Sequence, residues 1–135
     1  MRKRMVSLLL CIVMLAGLLP TTAMAANDTV ASILGVQLEE GYYSTKGDIT
    51  HDDGTFTEGT DIDMGSHSNA APEGRSNYLY YKDGVLTVFG EVYIFASHYD
   101  DMFAALYATS GTLAVKGSGL LSLYGSSVPA LYIGR

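Results

Sequence analysis

Two stretches decide the fold: "YLYYKDGVLTVFG", from Tyr78 to Gly90, and "ALYATSGTLAVKGSGLLSLYGSSVPALYIGR", from Ala105 to Arg135. Ala-Leu-Tyr stands at 105–107 and again at 130–132, and Tyr78-Leu79-Tyr80 is a weaker copy. Leu79, Leu106 and Leu131 are 27 and 25 residues apart, and Gly84 and Gly111 are 27 apart. Leu86 and Val88 match Leu113 and Val115 at the same spacing of 27. Between these marks the chain alternates short runs of Leu, Val, Ile and Tyr with Gly, Ser and Asp turns, the pattern of short strands. A period in the twenties built of three short strands is the signature of stacked coils.

The spacing predicts an all-β protein whose C-terminal part is a short right-handed parallel β-helix of about two coils. In that arrangement Leu79, Leu106 and Leu131 form one inward stack. Leu86 and Val88 over Leu113 and Val115 form a second, and Ile94 over Leu121 a weaker third. A small antiparallel β-sandwich is the alternative. A leucine-rich repeat has a similar period, but its asparagine ladder and helical segment are missing.

Outward from the repeat, residues 26–77 read as an irregular N-terminal β and loop region that caps the coils of 78–135. Val36–Leu38 and Gly41–Ser44 read as strands around a Glu39-Glu40-Gly41 turn. Lys46 to Arg75 is dense in Gly, Asp, Thr, Ser and Asn, with Ile49, Phe56, Ile62 and Met64 as its only large apolar residues. It reads as a long loop holding one weak hairpin.

Residues 1–25 read as a secretory signal peptide. Arg2, Lys3 and Arg4 precede a mostly apolar run from Met5 to Leu19, and Ala23-Met24-Ala25 is a small-x-small cleavage site. The run is shorter than the ~20 apolar residues a membrane span needs. The expected mature chain, 26–135, is secreted or held at the cell surface, with no membrane contact after cleavage. Cys11 leaves with the leader, and its position after Leu8-Leu9-Leu10 does not suit lipidation. Thiol nucleophiles and thiolate metal sites are thereby excluded. Of 8 basic residues three also leave, so five face 14 acids, a formal charge of −9. That charge opposes phosphate backbones and argues against nucleic acid as a partner.

Three constellations bear on chemistry. Tyr80, Tyr107 and Tyr132 each follow an inward leucine and should point outward as a row, suited to stacking on sugar rings. Such rows also stabilise neighbouring strands. Tyr93 and Tyr124 fall out of that register. The acidic loop carries Asp48, Asp52, Asp53, Glu58, Asp61 and Asp63, of which Asp61-x-Asp63-x-Gly65 resembles part of a calcium loop. Its terminal bidentate glutamate is missing. His51 and His67 flank the loop, and His98 sits in an inter-strand loop. Catalysis has no support. The outward strand positions Tyr80, Thr87, Tyr107, Ala114 and Ser122 hold no strong acid or base, and Glu91 stands opposite Ser118-Gly119. No paired carboxylates, nucleophile elbow or phosphate loop occurs.

The segment Asn77 to Val88, the run from Ala105 to Gly125, and the "ILGVQLEEGYY" opening at 33–43 resemble the repeat region of large secreted and cell-surface proteins of gut Firmicutes. Those are known as carbohydrate-binding-domain-containing or β-helix repeat proteins. The resemblance implies a β-helical architecture and a polysaccharide, host glycan or cell-wall glycan as partner, and assigns no binding residues. Such proteins usually carry many coils, so the chain is expected to be the N-terminal part of a longer repeat protein. Its last coil, uncapped after Ile133-Gly134-Arg135, is expected to favour edge-to-edge self-association. The leading expectation is a non-catalytic adhesion or glycan-binding module. A capping segment of a surface stalk, or the front end of a β-helical polysaccharide-degrading enzyme, are the alternatives.

Overall fold

The computed structural model describes residues 29–97 and 104–133. The expected leader with its expected cleavage site after Ala25 and Cys11, the expected inter-strand loop at His98 to Asp101, and Gly134-Arg135 lie outside the described residues. Among the described residues the strands are, in chain order, β1 (Val30–Ile33), β2 (Val36–Gln37), β3 (Gly41–Lys46), β4 (Ile49–Thr50), β5 (Phe56–Thr57), β6 (Asp61–Ile62), β7 (Tyr78–Lys82), β8 (Val85–Phe89), β9 (Glu91–Ala96), β10 (Leu106–Ser110), β11 (Ala114–Gly117), β12 (Leu120–Gly125) and β13 (Leu131–Ile133). One 3-10 turn spans Met64–Ser66. No helix among the described residues is long and apolar enough to cross a membrane.

The protein is all-β, a curled sheet of mixed direction. A seven-stranded sheet runs β11-β8-β7-β3-β6-β9-β12, a four-stranded one runs β13-β10-β1-β2, and β4 pairs only with β5. Three pairs are parallel in repeating order: β8 with β11, β9 with β12, and β10 with β13. On its other side each of β8, β9 and β10 meets a strand of the N-terminal region. These are β7, antiparallel; β6, parallel; and β1, antiparallel.

The core follows the period of two. Leu79 and Tyr81 of β7, Leu86 and Val88 of β8, and Val92, Ile94 and Ala96 of β9 are buried, while their neighbours along each strand are more exposed. Ile33, Tyr43 and Leu106 complete the set from β1, β3 and β10. Burial raises the pKa of the Tyr43 hydroxyl, which accepts from the Glu39 N–H at 2.8 Å.

The structure corrects three expected alignments. Leu131 lies beside Leu106, but Leu79 does not join them; it faces Tyr43 and Val88 across antiparallel pairs. The reason is the Asp83-Gly84 turn, with φ of 49° and 74°, which folds β8 back onto β7. Leu86 stands beside Val115 and Val88 beside Gly117, a spacing of 29. Likewise Val92 and Ile94 meet Leu121 and Leu123. The extra two residues fall between β10 and β11, which belong to different sheets and cannot be joined by a two-residue hairpin. Gly117 and Gly119 then make the corner possible. A side chain on either would run into the backbone of Val88 or Gly90 in the neighbouring segment.

In the N-terminal region the expected loop at 46–75 contains the β4–β5 hairpin, and it also supplies β6, whose Ile62 is buried. The expected strand at Gly41–Ser44 is present as β3 and runs on to Lys46. β2 folds back on β1 through Leu34-Gly35.

Candidate functional site

Arg75 anchors the acidic loop. Its Nη1 and Nη2 donate to both Asp48 carboxylate oxygens at 2.8 and 2.9 Å, and Nη2 also donates to the Thr45 carbonyl at 2.6 Å. Its Nε faces Glu58 Oε1 at 3.6 Å. Glu58 accepts from the Ser76 and Asn77 N–H groups, each at 2.8 Å. The guanidinium holds Asp48 at a pKa of about 2. Asp53 closes a local turn by accepting from the Thr55 N–H at 2.9 Å.

Asp63 caps the 3-10 turn, accepting from the Gly65 N–H at 3.0 Å, and Asp61 lies on the exposed side of β6. Among the described residues no group of three or more His, Cys, Asp or Glu gathers around a common point. His51 bonds Thr57 Oγ1 at 2.9 Å, and His67 bonds the Glu40 carbonyl at 2.9 Å.

This anchored loop brings a polar segment to the edge of β3. Tyr42 N–H donates to Ser68 O at 2.7 Å and Ser68 N–H to Tyr42 O at 3.0 Å. The approach requires Gly41, because a Cβ there would meet His67 and the Ser68 carbonyl within 2.7 Å. Asn69 is thereby set beside Tyr42.

The tyrosines do not form a row of three. Tyr107 and Tyr132 stack with ring centroids 5.0 Å apart and 14° between planes, on β10 and β13. Tyr80 lies in the seven-stranded sheet instead, tilted against Tyr42 at 4.6 Å. Register places it in a different outward row: Lys116, Thr87, Tyr80, Tyr42 and Ser68, on successive neighbouring strands or segments. Tyr78 extends the aromatic surface, 6.0 Å from Tyr42 and stacked on Phe89 at 4.5 Å.

Tyr80 is the ridge between two shallow hollows. One, of about 330 Å³, is lined by Glu40, Gly41, Tyr42, Asn69 and Tyr80. The other, of about 240 Å³, is lined by Tyr80, Lys82, Asp83, Val85, Thr87 and Lys116. Lys82 Nζ meets Glu40 Oε1 at 3.2 Å, and that contact raises the lysine pKa. The surface offers aromatic faces ringed by amide, hydroxyl, ammonium and carboxylate groups. Such a surface can stack the C–H face of a sugar ring and hydrogen-bond its hydroxyls.

Sequence reasoning reached Tyr80 but missed Tyr42, Tyr78 and Phe89. The Asp83-Gly84 hairpin signal could have brought Tyr78 and Phe89 together. Nothing local announces that β3 lies beside β7. No family model, curated protein or solved structure matches the chain.

Proposed function

We propose that the chain is a non-catalytic glycan-binding module of the cell exterior, using the outer face around Tyr42 and Tyr80. The observation that carries this reading is the outward row Lys116–Thr87–Tyr80–Tyr42–Ser68 with a hollow on each side of Tyr80. Two aromatic rings at 4.6 Å form a platform about one sugar ring wide, and the groups around it match hydroxyls better than phosphates. The leader pattern supports export, and the resemblance to secreted carbohydrate-binding repeat proteins points the same way.

The three ordered parallel pairs support a finer reading of the fold, two coils of a parallel β-helix resting on an N-terminal cap. A right hand follows from the general rule for parallel crossovers. The exposed second coil is, in the same proposal, a self-association surface.

A broad array of plant, host and bacterial cell-wall glycans tests the binding reading. At least one class of polysaccharide should be retained. Tyr80→Ala should weaken it roughly five- to tenfold, the loss of one aromatic contact worth about 1 kcal/mol. Tyr107→Ala, on the other sheet, should leave it unchanged. Silence across the array, or equal losses in both variants, would overturn the proposal.

A further inference from the structure

The other half of the seven-stranded sheet carries a second outward row. Lys46 of β3 partners Asp61 of β6, Asp61 partners Tyr93 of β9, and Tyr93 partners Ser122 of β12. One step along, Phe95 and Tyr124 stack with ring centroids 5.3 Å apart and 13° between planes. A groove of about 290 Å³ runs beside them, lined by Leu34, Lys46, Asp61, Ile62, Tyr93 and Phe95.

Three features call for a ligand rather than for packing. Phe95 is 44% exposed and Tyr124 52% exposed, so the stacked pair leaves apolar ring surface open to water. Asp48, Asp53, Glu58 and Asp63 are engaged in anchoring the loop, whereas Asp61 stands exposed at the groove. Lys46 and Asp61 are register partners, yet among the described residues no ion pair joins them. The groove therefore offers a carboxylate acceptor, an ammonium donor and a phenol beside one aromatic plane.

We propose that this groove is a second sugar-binding site, for a neutral pyranose. The ring's C–H face lies on the Phe95 ring at the groove, which Tyr124 backs by stacking. Two adjacent hydroxyls donate to the Asp61 carboxylate, which accepts at both oxygens, and Lys46 donates to a third oxygen. Asp61 repels a uronate carboxylate while Lys46 attracts it, so the hydroxyl contacts to Asp61 favour a neutral sugar over an acidic one. The site rests on the reading of the chain as a glycan-binding module but uses a different face. With the Tyr80 surface it makes the molecule bivalent, so one polysaccharide strand or two neighbouring strands gain effective concentration at the second contact.

The test is a titration of isotope-labelled chain with the methyl glycosides of glucose, galactose and mannose, following backbone amide signals. At least one glycoside should move the Asp61, Tyr93 and Ser122 signals. Asp61→Asn should weaken that response about tenfold, as expected for loss of a charged hydrogen bond. Tyr124→Ala, which leaves the polar groups in place, should weaken it severalfold. Methyl glucuronide should give a weaker response there than the best neutral glycoside. Shifts confined to Tyr80 and Thr87 would overturn the second site and leave the glycan-binding reading standing. Shifts at β6 and β9 that survive both substitutions would overturn the assignment of these residues. No shift at either face would overturn this site, while the glycan array separately decides the broader reading.

Discussion

Asp48 and Arg75 tie the start of the acidic loop to the segment just ahead of β7, twenty-seven residues away. The Arg75 contact lowers the Asp48 pKa from 3.8 to about 2. A depressed folded pKa means the stabilisation is present above the unfolded value and fades as pH falls from about 4 toward 2. Melting temperature against pH should therefore drop across that window, and Asp48→Asn should lower the neutral-pH value and flatten the drop. An unchanged slope in the variant would show that the anchor does not sense acid. Two turns show what the sequence discloses at this scale. Asp83-Gly84 is a preferred pair for a tight hairpin, and it forms one. Leu34-Gly35 adopts the same kind of turn with φ of 50° and 76°, although leucine is disfavoured there. Leu34 packs partly buried against the core, and that contact offsets the backbone cost in a way no local pattern reveals.

Strand existence from Tyr78 onward was legible because Leu, Val and Tyr alternate between glycine punctuation. Register was less so. A count from leucine to leucine gives 27, but the parallel pairs of β8 with β11 and β9 with β12 run at 29. A hairpin turn and a corner between sheets look alike in composition and differ by two residues in length. β6 was hidden for another reason: a two-residue strand with one buried isoleucine carries no periodicity. The stacking of the corners is itself testable. Gly119 sits over Gly90, and a Cβ there would press on the Gly90 carbonyl, a backbone group that cannot swing aside. Gly119→Ala should destabilise by about 1–3 kcal/mol. Gly65→Ala, whose Cβ would meet only the Asp63 carboxylate at an ordinary 3.4 Å, should stay within about 0.5 kcal/mol. Similar denaturation midpoints for the two variants would mean that the corners do not pack this closely.

At the scale of the molecule the two ends differ. β8, β9 and β10 are each covered on one side by β7, β6 and β1, and on the other by β11, β12 and β13. Among the described residues β11, β12 and β13 have a neighbour on one side only. Their inward positions are left open: Leu131 is 48% exposed beside Leu106 at 2%, and Ile133 is 70% exposed beside Ala108 at 5%. Unpaired strand edges with apolar side chains invite pairing, and proteins usually guard them with charge. Residues 112–133 carry a single charge, Lys116, so this apolar edge is guarded by little charge. In the proposed self-association like end meets like end, β11, β12 and β13 of one copy against those of another. Such an isologous contact closes at two copies and does not propagate. Sedimentation of the chain over a range of concentrations should show a monomer–dimer equilibrium. Val115→Lys and Ile133→Lys together should shift it to monomer while leaving the strand content unchanged. A wild-type chain that stays monomeric at every concentration, or one that grows past the dimer into filaments, would refute the closed end-to-end pairing.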